Sequence, residues 1–125
     1  MPAYESDRYA PPAPVAIVTL RNLASGLELA DVSLIIDSGA DVTLLPRAAV
    51  EFLGIAIDTE THYELKGFDD STTYSLAVYA DVIFAQTTFR GSYLLIEQEV
   101  GLLGRDILNH FSLVLDGPHL VWELQ

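Results

Sequence analysis

Leu34-Ile35-Ile36-Asp37-Ser38-Gly39-Ala40-Asp41 decides how this chain is read. The run from Leu34 to Ile36 is continuously apolar and rich in β-branched residues, which predicts a strand entering the core. A carboxylate follows at once, and then a Ser-Gly turn. Gly39 permits a tight turn and close approach of another backbone. Ser38 offers a hydroxyl that can brace the turn. A reactive aspartate carried on the end of a rigid strand has this layout. The pattern occurs once in 125 residues.

Upstream, Val15 to Leu20 reads as a strand, 22–26 as a turn, and Leu27 to Leu34 as the return strand of a hairpin. Residues 1–14 hold Pro2, Pro11, Pro12 and Pro14 and read as a flexible arm, leaving 15–125 as the folded domain. Such an arm is open to three readings: a processing site, a dimer strap or a disordered tail. Downstream, Val42 to Leu45 predicts a short buried strand. Pro46 suits the first position of a helix that runs to Phe52 and closes at Gly54. Residues 61–65, 73–84 and 88–96 read as strands, with a polar hairpin tip at Lys66-Gly67-Phe68-Asp69-Asp70-Ser71. Arg105 to Phe111 reads as a short helix, and 113–124 as a closing hairpin around Asp116-Gly117-Pro118. The expected class is all-β, a closed barrel or sandwich with one or two short helices.

Composition narrows the function. Half of the residues are hydrophobic, enough for one core at this length, and no apolar run approaches the ~20 residues that span a bilayer. The first residues lack the basic start and apolar segment of a secretory signal. Cysteine is absent, which removes disulfide and thiolate chemistry and fits a reducing, cytoplasmic setting. His62, His110 and His119 have no metal-ligand spacing, so neither a metal nor another cofactor is expected. With 18 acidic against 6 basic residues and a net charge of −12, the chain lacks the basic face that nucleic acid requires. The acidity reads as a solubility charge or as attraction for cationic peptides.

Two motifs together carry a resemblance. Ile35-Ile36-Asp37-Ser38-Gly39-Ala40-Asp41-Val42-Thr43-Leu44-Leu45, followed by Leu102-Leu103-Gly104-Arg105-Asp106-Ile107-Leu108, resembles the retropepsin-like (retroviral-type) aspartic proteases across roughly residues 15–124. Asp-Ser-Gly alone is a common turn, whereas both motifs in this order are far more specific. The resemblance implies a peptide hydrolase with Asp37 as catalytic residue. Ser38 would brace the turn across a dimer axis, Gly39 would line the cleft, and Ala40 belongs to the same supporting turn. Asp41 and Arg105 would pair beside the site, and Gly104 would let the second motif pass behind the first. Lys66 to Ser71 would form the flap over a polypeptide substrate, although Gly67 is its only glycine.

Aspartic protease chemistry needs two carboxyls sharing one proton. Asp116 is the tempting internal partner, since it also follows an apolar strand. Pro118 follows it, however, with no Ser or Thr brace, and Asp-Gly-Pro makes a good turn by itself. The second carboxyl is therefore expected from Asp37 of another copy, which makes the chain half of a two-fold enzyme. The apolar segment Leu120 to Leu124 is the expected seam. Two other readings compete: a peptide-binding or assembly module on the same fold, and a small β domain with a fortuitous turn. No nucleic-acid or membrane partner is expected.

Overall fold

The computed structural model describes residues 2–66 and 72–125. Among the described residues, nine strands and two short helices run in the order β1 (Val15–Arg21), β2 (Glu28–Ile36), β3 (Leu44–Pro46), α1 (Arg47–Phe52), β4 (Ile57–Lys66), β5 (Thr72–Phe84), β6 (Thr87–Ile96), β7 (Gly101–Leu103), α2 (Arg105–Leu108), β8 (Leu113–Asp116) and β9 (Val121–Leu124). The expected all-β class with short helices is what the chain adopts. No helix among the described residues is long and apolar enough to cross a membrane.

Neighbouring strands follow the order β1-β2-β7-β3-β6-β5, and β5 returns to β1. Six strands thus close a barrel, with β4 appended on β5. Closure runs through Thr19 opposite Ile83, Leu20 opposite Val82 and Arg21 opposite Asp81. A closed barrel leaves no strand edge exposed within the ring. Its interior holds Leu20, Leu34, Leu45, Leu103 and Ile107, all essentially inaccessible to water.

Two parallel ladders position the motif. β2 pairs in parallel with β7, Leu34 opposite Gly101 and Ile36 opposite Leu103. β3 pairs in parallel with β6, Leu44 opposite Leu94 and Pro46 opposite Ile96. In the apolar run at 34–36, Leu34 and Ile36 are buried in the core, and Ile35 on the other face is half-buried.

Some local expectations shift. Pro46 ends β3 and caps α1 from outside the helix, with φ −59° and ψ 124°. Its fixed φ serves an extended residue as readily as a first helical one. The second helix stops at Leu108, although it was expected to run to Phe111. The β5–β6 reversal falls on Ala85 and Gln86, at φ 51° and 64°. Both lie in the left-handed region that a two-residue hairpin needs, without the usual Gly or Asn.

Residues 2–14 make defined contacts with the domain. Ala3 bridges Val121, Tyr4 N–H donates to the Leu120 carbonyl at 2.7 Å, and Trp122 N–H donates to the Pro2 carbonyl at 2.9 Å. Farther along, Ile36 N–H donates to the Pro14 carbonyl at 3.0 Å. The segment therefore ties the closing strand β9 to the end of β2.

Candidate active site

Asp37 is the first residue beyond β2, half-buried at the mouth of the barrel. Its backbone N–H continues the parallel ladder by donating to the Leu103 carbonyl at 3.0 Å. The position of Asp37 is therefore set by β7, which lies more than sixty residues away in sequence. The turn closes with Ala40 N–H donating to the Asp37 carbonyl at 3.2 Å. Gly39 N–H donates to Asp37 Oδ1 at 2.9 Å, which fixes the carboxylate's rotation and leaves Oδ2 outside that bond. A Cβ at residue 39 would sit 3.1 Å from the same Oδ1, so glycine preserves this geometry.

The second motif passes directly behind the first. Arg105 N–H donates to the Ala40 carbonyl at 2.8 Å. A Cβ on Gly104 would lie 2.7 Å from the carbonyl carbon of Val42 and 3.0 Å from the Ala40 oxygen. Contact that close with backbone leaves room only for hydrogen. Gly101 is tighter still, since its Cβ would meet the Leu44 carbonyl oxygen at 2.2 Å.

Thr43 and Asp106 lock the two motifs together. The Thr43 hydroxyl donates to Asp106 Oδ1 at 2.7 Å, and Thr43 N–H donates to Oδ2 at 3.0 Å. The same hydroxyl accepts from Gly104 N–H at 3.0 Å. Thr43 is fully buried, so each of these groups would otherwise be stranded. Both residues stand inside the quoted motifs, yet neither carried an assigned role. The signal was a polar residue in an apolar run at Thr43, with a carboxylate just after the second motif's glycine.

Arg105 and Asp41 both border the cleft, but no ion pair joins them among the described residues. The Arg105 guanidinium instead donates through Nη1 to the Ser38 carbonyl at 2.6 Å. It clamps the Asp-Ser-Gly turn itself, and the expected Asp41–Arg105 pair is replaced by that contact. Ser38 and Asp41 are exposed. Of the expected flap, Lys66 ends β4, and Gly67, Phe68, Asp69, Asp70 and Ser71 lie outside the described residues.

These elements surround a cleft of about 690 Å³ bordered by Asp37, Gly39, Ala40, Asp41, Glu64 and Arg105. Its apolar wall comes from Val42, Leu44, Leu65 and Leu102. The volume falls in the range of ligand-binding clefts, and the mixture of an apolar wall with a few polar groups is their usual lining.

A second charged feature lies away from the cleft. Asp81 on β5 is fully buried and accepts from Arg90 Nε at 2.9 Å and from Arg21 Nη1 at 3.2 Å. Hydrogen bonding from Arg90, with further help from Arg21, holds its carboxyl below the usual range against the opposing effect of burial. The triad staples β1, β5 and β6 at the seam where the barrel closes.

Comparison with solved structures gives a match to EIAV protease in complex with the inhibitor HBY-793. The TM-score is 0.57 at 20% sequence identity, covering 78% of this chain and 86% of that one. The chain has a retropepsin-like fold. No protein-family model matches the sequence, and a search of curated proteins gives no significant match.

Proposed function

We propose that the chain is an aspartic endopeptidase that works as a homodimer, with Asp37 of each copy facing the other across a two-fold axis. The observation that carries this reading is the Asp37 turn. A carboxylate at a strand end is held by Gly39 N–H, backed by Leu103 and Arg105, and opens into a cleft with an apolar wall. The fold similarity supports a peptide as the substrate class.

In this reading one ionised carboxyl of the pair takes a proton from water, and the resulting hydroxide adds to the peptide carbonyl carbon. The other carboxyl, protonated, gives its proton to the carbonyl oxygen, forming a neutral tetrahedral diol. Collapse of the diol breaks the C–N bond. The departing nitrogen takes a proton from the first carboxyl, and the second recovers one from a diol hydroxyl. Gly39 N–H keeps each Asp37 in the orientation this exchange needs. Ser38 is exposed in the turn, and in this reading its hydroxyl would brace the partner copy. Asp41 borders the cleft, and the segment Lys66 to Ser71 would serve as flap.

Digestion of a peptide library by the wild type and by Asp37→Asn tests the reading. Loss of about 10²- to 10⁴-fold in cleavage with an unchanged melting curve is expected. A variant that cleaves as fast as the wild type would sink the assignment. Peptide binding without cleavage by the wild type would identify a binding module instead.

A further inference from the structure

A second cavity, of about 420 Å³, is walled by Pro2, Phe84, Ala85, Trp122, Glu123 and Leu124. It borders the β5–β6 reversal. Leu94 pairs with Leu44 in the wall of the Asp37 cleft, whereas Thr87, seven residues back along β6, pairs with Phe84. At the usual rise along a strand the two sites lie about 20 Å apart.

The walls are held firmly. Phe84 and Trp122 are both buried, and their rings stack with centroids 6.4 Å apart. Phe111 packs edge-on against Phe84 at 5.3 Å and fixes that ring. Pro2 supplies the carbonyl that accepts from the Trp122 backbone N–H at 2.9 Å. The backbone of Trp122 is thus satisfied, but its side chain is not. The indole is 5% exposed, and its Nε1 is the one buried side-chain nitrogen or oxygen without a hydrogen-bond partner among the described residues. A buried donor with no acceptor is costly and rare, and a buried indole N–H ordinarily finds one. Here that donor belongs to the wall of a cavity of ligand-binding size.

The lining says what would fit. Pro2, Phe84, Ala85 and Leu124 offer apolar and aromatic surface. Glu123, half-buried on the same wall, opposes an anion, as does the net charge of −12. We infer that this cavity is a second binding site, for a small aromatic molecule that carries a carbonyl-type acceptor and no negative charge. The ring lies against the apolar walls, and the oxygen accepts from the Trp122 indole N–H. The site does not depend on the reading of Asp37.

Trp122 is the chain's single tryptophan, so an isotopically labelled sample gives one indole N–H resonance, and it reports this cavity alone. Acetophenone is expected to shift that resonance downfield in a saturable titration. α-Methylstyrene, nearly the same shape without the oxygen, should bind about tenfold more weakly or worse, the effect of one hydrogen bond. Benzoate, the same ring with an anionic head, should leave the resonance unmoved at equal concentration. Ala85→Leu, on the exposed reversal, adds bulk at the cavity wall and should abolish the acetophenone response with an unchanged melting curve. Asp37→Asn should bind acetophenone as the wild type does. An indole resonance that stays put up to the solubility of acetophenone overturns the site. Equal affinity for acetophenone and α-methylstyrene overturns the role of the indole donor, and an unaltered response in Ala85→Leu overturns the placement.

Discussion

The hydroxyl of Thr43 sits 2.7 Å from Asp106 Oδ1, and through that bond the residue before β3 is tied to the start of α2. The Thr43 oxygen also accepts from Gly104 N–H, so one buried atom serves both motifs. Thr43→Val keeps the shape and removes the oxygen. It strands Gly104 N–H and one lone pair of Asp106, at a cost of about 1–3 kcal/mol. Urea unfolding should show a lower midpoint with unchanged slope. Thr43→Ser, which keeps the hydroxyl, should recover most of the loss.

Gly101 and Gly104 should be the least replaceable glycines. Alanine at 101 would drive a methyl into the Leu44 carbonyl, and at 104 into the Val42 backbone. The obstructing atoms are backbone, so the ladders themselves must shift. Each variant should lose about 1–3 kcal/mol or more. Gly117→Ala, where nothing stands within 4 Å, is the control. Thermal melts of the three variants side by side decide the matter.

Arg105 is a positioning residue in this scheme, since it acts through the Ser38 carbonyl. It is exposed, so Arg105→Gln should barely move the melting temperature. The turn that carries Asp37 would lose a charge-assisted bond, worth about 1.5–3 kcal/mol at full strength. A roughly tenfold or greater fall in kcat with little change in KM is the expected kinetic signature. A change confined to KM would assign Arg105 to substrate binding instead.

Acid should loosen the barrel at Asp81. Its carboxyl is held below the ordinary value by Arg90 first and Arg21 second. A depressed folded-state pKa contributes stability that is fully present above the unfolded value, about 3.9. That contribution is lost as pH falls through the lower, folded value. Asp81→Asn should therefore be destabilised near neutrality by about 1–3 kcal/mol, a range that allows for the part-exposed arginines. The deficit relative to wild type should shrink below pH 4. A deficit of constant size from pH 7 to pH 3 would show that the ion pairs contribute nothing.

The dyad chemistry makes a separate demand on the rate. Two carboxyls sharing a proton ionise in two coupled steps, so one must stay protonated while its partner is charged. Cleavage should peak below neutrality and fall on both sides, with kcat/KM measured across pH 3–8 as the check. A rate still climbing past about pH 8 would exclude the pair.

Much of this arrangement was legible because two short motifs announce it. The apolar run Leu34 to Ile36 ending in Asp37 reads as a strand and a turn on pattern alone, and Gly104-Arg105 marks where the chain returns. Long-range pairing carries no local signal. Nothing around Asp41 or Arg105 says that the guanidinium takes the Ser38 carbonyl instead of the carboxylate, a contact between residues 67 positions apart. Asp81 is one polar residue inside the predicted strand 73–84, with nothing local to mark it. Its burial follows from barrel closure against Arg21, sixty residues earlier. Ala85-Gln86 lacks the usual turn residues, and the strands on either side impose its backbone.

The parallel ladder between β2 and β7 sets an order of events for a chain emerging from the ribosome. Ile36 and Asp37 leave the exit tunnel long before Gly101 to Arg105 do, and until those residues arrive Asp37 N–H has no carbonyl to meet. Contacts so distant in sequence form late, after the local hairpins. The nascent chain therefore carries Asp37 without its β7 partner through most of synthesis, and the geometry of the turn is completed only when the second motif has been delivered.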